Sequence, residues 1–155
     1  MKNLFRLLTV HFILSIAVCQ AQTVNEANLA KAKIQIDSVN KAYFQAFAKG
    51  DSSILINCYT YDCWIMRPNS PTLCGVDAPL IFFKASSQTG HIKNGKFITV
   101  DLFGNGEEFI TEEGFWQTLD AQDKPLDHGK YLVLWRKTPG GWKRFRDSFN
   151  SDMEK

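Results

Sequence analysis

Three of the four cysteines, Cys58, Cys63 and Cys74, fall in one short stretch, CYTYDCWIMRPNSPTLCG, together with Trp64, Arg67 and two prolines. Such a stretch can be a disulfide clasp, the rim of a binding pocket or the seat of a catalytic group. Arg67, directly before Pro68, bears on that choice. A guanidinium stays protonated and cannot serve as a general base near neutral pH. It can grip a carboxylate or phosphate through a planar, two-pronged fork, or it can be solvated or paired with Asp62 or Asp147. Other chemistries lack their residues. His91 and His128 stand at strand starts with no second ligand at helical or hairpin spacing, so no metal site is expected. There is no Cys-x-x-Cys. Gly104-Asn105-Gly106 lies between two strand-like runs and reads as a turn rather than a phosphate cradle. No cofactor is expected.

The elements that must position these residues change character along the chain. Between about Glu26 and Lys49, Ile36, Val39, Tyr43 and Phe47 recur at three- and four-residue steps and mark one apolar helix face. Gly50 is a natural stop, and Asp51 can cap a short second helix, Ser52 to Tyr59. Asp77 as cap and Pro79 in the first turn signal a third helix through LIFFKAS. After Gly90 four runs rich in β-branched and aromatic residues follow, with breaks at residues 104–106, 121–127 and 138–141. Helices followed by an antiparallel meander predict an α+β fold, the helices packed on one face of a curved sheet.

The first residues read differently. Lys2 and Arg6 precede an apolar run too short to span a bilayer, and Cys19-Gln20-Ala21 supplies small residues at the positions a signal peptidase reads. Residues 1–21 are therefore read as a signal peptide cut after Ala21, with 22–155 as a single domain. Lipid anchoring at Cys19 is the lesser alternative, because Val18 is bulky for that signal. Export places the protein in a periplasmic or secreted compartment where disulfides persist. The formal net charge of +2 belongs to Lys2 and Arg6, so the remainder is neutral. It gives no electrostatic case for nucleic acid or, after cleavage, for membrane.

The stretch GKYLVLWRKTPGGWKRFRDSFNS, Gly129 to Ser151, resembles the C-terminal hairpin of the DUF4440 family, within the SnoaL-like and nuclear-transport-factor-2-like superfamily. AYFQAFAKGDSSIL is similar to that family's first helix, its Gly-Asp break and its second helix, and YTYDCWIMRPNSPTLCG to the hairpin that follows. The resemblance covers essentially the whole chain after the leader. It implies a cone, in which a bent sheet wraps a long helix and leaves a pocket at the open end. Relatives have used that pocket for isomerases, dehydratases, hydrolases, ligand binding and oligomerisation, so function must come from its residues.

Alignment with the ketosteroid isomerases of this superfamily implies roles residue by residue. The donor tyrosine falls on Tyr43, the base on Arg67, and the second acidic donor near Val133. Isomerisation by that route is therefore not expected. Strict strand alternation puts Arg144, Arg146, Ser148 and Asn150 on one side and Phe145, Asp147 and Phe149 on the other. The comparison implies that the side with Arg146 and Asn150 faces the cavity; the alternative turns Phe145 and Phe149 to the core. Trp116 and Trp135 are the candidate aromatic walls, and Asp147 with Tyr43 is the candidate catalytic pair. In the implied hairpin the turn centres on Pro68 and Asn69, which sets Cys63 opposite Cys74 as a possible disulfide and leaves Cys58 a buried thiol.

Together these residues predict a binder of a small, acidic, partly apolar molecule, with Tyr43, Trp64, Arg67, Trp116, Trp135, Arg146 and Asn150 as ligand contacts. The alternatives are an enzyme of the isomerase, dehydratase or hydrolase type, and an association module. The resemblance further implies a homodimer formed through the outer face of the sheet.

Overall fold

The structure, a computed structural model, describes residues 2–88 and 91–153, with side chains from Glu26 onward. The expected cleavage after Ala21 and the alternative anchor at Cys19 concern side chains outside those described. Helix α1 (Lys2–Lys49) is followed by α2 (Ser52–Asn57), strand β1 (Tyr59–Met66), β2 (Leu73–Cys74) and α3 (Ala78–Gln88). The chain then runs through β3 (Asn94–Gly104), β4 (Phe109–Leu119), β5 (Pro125–Thr138) and β6 (Gly141–Phe149). The strands form one sheet in the order β2-β1-β6-β5-β4-β3. All neighbours are antiparallel except β1 and β6, which run parallel.

Local chemistry sets the boundaries. α1 ends at Gly50, whose φ of 66° suits a residue without a Cβ. The Asp51 amide donates to the Ala46 carbonyl at 2.9 Å and the Gly50 amide to that of Phe47 at 3.2 Å, closing the last turn. Asp51 then caps α2 by accepting from the Ser53 amide at 2.9 Å. β5 begins at Pro125, earlier than expected, because Asp120 accepts from the Gln122 and Lys124 amides and closes the preceding turn tightly.

α1 lies across the inner face of the sheet and divides the core in two. Its last two turns pack Tyr43, Phe44 and Phe47 against Leu55, Cys63, Ile65, Phe82 and Phe83. Its preceding turns pack Ala32 and Ile36 against Ile110, Val133, Trp135 and Trp142. Val39, Phe97 and Phe149 touch both halves. Each large apolar side chain so buried stabilises the fold by roughly 1.5–3 kcal/mol.

Two register details differ from strict pleating. Leu134 pairs with Arg146 and Trp135 with Arg144, which leaves Phe145 as an extra residue, a β-bulge. In the first hairpin Trp64, not Cys63, stands opposite Cys74. Asn69, at φ 52°, takes the left-handed turn position that asparagine tolerates.

Candidate functional site

The cone's open end holds a cavity of about 330 Å³ bounded by α1, α3, the β1–β2 loop and the inner face of the sheet. Its walls are mainly aromatic. α1 contributes Tyr43, Phe44 and Phe47, α3 contributes Phe82, and the sheet contributes Phe97, Trp116, Tyr131 and Phe149. The charged groups on its lining are Arg67, Asp127 and Asp147.

Arg67 directly follows β1 and stands beside Pro68 and Ser70 at the rim. Among the described residues it has no hydrogen-bond or ion-pair partner, and its Nε is buried. Asp147 is placed further in and is only 3% exposed. Its Oδ2 accepts from the Tyr59 hydroxyl at 2.5 Å and from the Arg144 guanidinium at 3.2 Å. Its Oδ1 accepts no hydrogen bond from the described residues.

Behind the cavity wall these groups belong to a larger buried network. Arg144, fully buried, also donates to Asn40 Oδ1 at 2.5 Å. Asn40 donates in turn to Glu112 Oε1 at 2.9 Å. Glu112, equally buried, accepts further hydrogen bonds from Thr99 at 2.6 Å, Tyr131 at 2.8 Å and Trp135 Nε1 at 2.9 Å. The Arg144 guanidinium lies 5.0 Å from the Tyr43 ring centre, 4.5 Å from Phe97 and 5.0 Å from Trp135. Aromatic faces on several sides attract a cation that has lost its water.

The network fixes protonation states. Burial, reinforced by the Asp147 charge, pushes the Tyr43 and Tyr59 phenols well above their ordinary range. Burial and Glu112 do the same to Tyr131. All three stay protonated, and Tyr59 and Tyr131 donate to Asp147 and Glu112. Burial pulls the Arg144 pKa down, but Asp147, Tyr59 and Glu112 outweigh it and raise the net value, so this cation stays charged inside the core.

Of the residues singled out in the sequence, Tyr43, Arg67, Trp116 and Asp147 border the cavity. The others lie elsewhere. Arg146 points outward because the bulge at Phe145 shifts the alternation; its guanidinium lies 4.7 Å from the Trp64 ring centre. Trp64 is therefore on the outer face, 45% exposed. Trp135 is fully buried behind the wall, tied to Glu112. Asn150 is exposed past the end of β6, where it accepts from the Lys130 amide and donates to Asp152. The expected common space for Tyr43, Arg67, Arg146 and Asn150 is corrected to one shared by Tyr43, Arg67 and Asp147.

The Cys63–Cys74 disulfide is corrected as well. The one-residue shift in register turns the two side chains to opposite faces of the hairpin. Cys63 is buried with its thiol 3.5 Å from the Gly75 carbonyl, and Cys74 is exposed; both are free thiols. Burial pushes the Cys58 and Cys63 thiols up to about 11. Asp62 pairs with Arg136 across the sheet.

The sequence reading missed Asn40, Tyr59, Glu112, Tyr131 and Arg144. Two carried a visible signal. Glu112 alternates with Ile110, Gly114 and Trp116 on one strand face, an acid on an apolar side. Asn40 falls between Ile36 and Tyr43 on the apolar stripe of α1.

A second, more polar hollow of about 470 Å³ lies between α1 and β3, lined by Asp37, Asn40, Lys41, Lys96 and Thr99 among others. Phe44 and Phe97 border both hollows.

No protein-family model matches the sequence, and no curated protein matches it. Solved structures do match in shape. A protein of unknown function from Shewanella oneidensis, described as NTF-2 like, superposes with a TM-score of 0.63 at 18% identity, over 76% of this chain and 98% of that one. A ketosteroid isomerase-like protein from Erwinia carotovora atroseptica gives 0.61 at 19% identity, over 78% and 96%. An ntf2-like protein with a cystatin-like fold from Novosphingobium aromaticivorans gives 0.67 at 12% identity, over 84% and 88%. At these identities the likeness carries the fold alone. Helices on a curved, mainly antiparallel six-stranded sheet, wrapped around α1 and open at one end, give this chain the nuclear-transport-factor-2-like, cystatin-like cone fold.

Proposed function

We propose that this protein binds a small, partly apolar molecule through an acidic group, in the cone cavity and with Arg67 as the anion anchor. The observation that supports this most is the state of Arg67, which borders an aromatic-lined cavity with its Nε buried and without a partner. A buried donor left unpaired costs about 1–3 kcal/mol, more when charged. A ligand carboxylate would relieve that cost and gain a charge-assisted hydrogen bond. The experiment is calorimetric titration with cinnamate and its neutral amide. The acid should bind more tightly than the amide, and Arg67→Ala should remove the difference. Equal affinities in the unaltered protein would sink the reading.

One observation favours a second reading, an enzyme of the isomerase, dehydratase or hydrolase type. Asp147 borders the cavity with a free carboxylate oxygen, and the protonated Tyr43 hydroxyl borders it too. A carboxylate and a neutral phenol facing one substrate can take and give a proton. Under this reading Asp147→Asn abolishes turnover while cinnamate binding persists.

We read residues 1–21 as a leader removed on export to the periplasm or exterior, and the motif from Gly129 to Ser151 as DUF4440-like. A homodimer through the outer sheet face is supported by the exposed Ile98, Phe115, Leu132 and Trp64 on that face.

A further inference from the structure

Resting on the anion-anchor reading, we infer that the ligand is an aromatic acid carrying a hydroxyl at the end remote from its acid group, and that Asp147 accepts the hydrogen bond of that hydroxyl.

Most polar groups on the lining are already engaged. Trp116 Nε1 donates to the Asn150 carbonyl at 3.0 Å. The Tyr131 hydroxyl donates to Glu112. The Thr118 hydroxyl is spent on the Asp127 carbonyl at 3.3 Å. Asp127 itself accepts from Ser151 at 2.8 Å and from the His128 amide at 2.7 Å, and it is half-buried, where water can complete its shell. The Tyr43 hydroxyl shares a hydrogen bond with that of Tyr59. Apart from the rim hydroxyls of Ser70 and Ser86, this leaves Arg67 and Asp147 Oδ1. Arg67 needs an anion. Asp147 needs a donor, because a carboxylate oxygen facing an apolar hollow is costly until it accepts a hydrogen bond.

The two needs are set apart in space. On the parallel β1–β6 pair Ile65 is level with Asp147. Arg67 therefore lies two residues further along, roughly 7 Å in the strand direction. The walls between them are aromatic rings. A cavity of about 150 Å³ accepts one benzene. The 330 Å³ here thus suits a ring with a short acid-bearing arm. A molecule that meets both ends is a hydroxyaryl acid of that length.

The test titrates the protein with 4-hydroxycinnamate, 4-methoxycinnamate and cinnamate, and with the amides of the first two. The hydroxy acid is expected to bind about tenfold or more tightly than the methoxy acid and cinnamate. Asp147→Asn should bring the hydroxy and methoxy acids within about twofold of each other. Should that variant fail to fold, the comparison in the unaltered protein decides alone. Equal binding of the three acids, with Arg67→Ala weakening all of them, would overturn the inference and leave the anion-anchor reading intact. If the acids bind no better than the amides, the anchor reading falls, and the hydroxy and methoxy amides still report on Asp147. Failure of every probe to bind overturns both.

Discussion

Arg144 and Asp147, three residues apart on one strand, meet at 3.2 Å inside the core. Regular pleating would put them on opposite faces of the sheet. The extra residue at Phe145 turns both inward and sends Arg146 out. The cavity's buried carboxylate thus comes with its own cation, and that cation reaches a second carboxylate, Glu112, through Asn40.

Removing the shared cation leaves two carboxylates in a dry interior. Arg144→Met is expected to cost about 3–5 kcal/mol, the range for breaking a buried ion pair. Urea denaturation followed by tryptophan fluorescence measures it. A loss under about 1 kcal/mol would mean that the buried charges do not depend on Arg144.

The hydrogen bonds from Arg136 hold the Asp62 carboxyl below its ordinary range. A carboxyl with a depressed folded pKa contributes stability above its unfolded value, about 3.9. That contribution fades as pH falls through the lower folded value. Asp62→Asn should therefore be less stable than the unaltered protein near about pH 7 and indistinguishable from it near about pH 2. Thermal melts across that range provide the check; a gap that widens toward acid would contradict the pairing.

The thiols should separate by reactivity. Cys74 is exposed, whereas burial holds Cys58 and Cys63 protonated to about 11. Because the thiolate is the reactive form, a disulfide reagent at about pH 8 should label Cys74 in the folded protein and the other two only after denaturation. The same shifts make stability decline as pH rises from the unfolded thiol value toward 11, since the unfolded chain loses its protons first. Peptide mapping identifies the labelled residues. Protection of Cys74 before reduction would restore the disulfide.

On the outer face of the sheet, Ile98 pairs directly with Phe115, and Leu132 lies on the next strand. Phe115→Glu with Leu132→Glu should convert a dimer into a monomer without lowering cinnamate affinity. Light scattering reads the mass; a monomer before substitution removes the dimer.

The helices were legible because their signals are local. Ile36, Val39, Tyr43 and Phe47 share one face of α1, and Gly50 and Asp51 close and reopen the helix by backbone conformation and capping. The strands were legible as runs, whose β-branched and aromatic residues supply the inner face through Ile110, Trp116, Val133 and Trp135 and part of the outer face through Ile98 and Phe115. Register was not legible, because one extra residue leaves no mark in composition. Phe145 could have been an ordinary pleated residue; its role as a bulge depends on the pairing with Leu134 and Trp135. The same kind of one-residue offset moved Cys63 away from Cys74. Arg67 borders the cavity because it follows the end of a strand whose place in the cone is fixed. Arg146, Asn150 and Trp135 depended on register or on depth behind the wall, and they lie elsewhere.

Phe44 and Phe97, with ring centres 4.9 Å apart, stand between the cavity and the hollow beside α1. The partition there is a single aromatic pair thick. The cone is in this way two rings from being a tube: loss of both would join the cavity to the hollow beside α1.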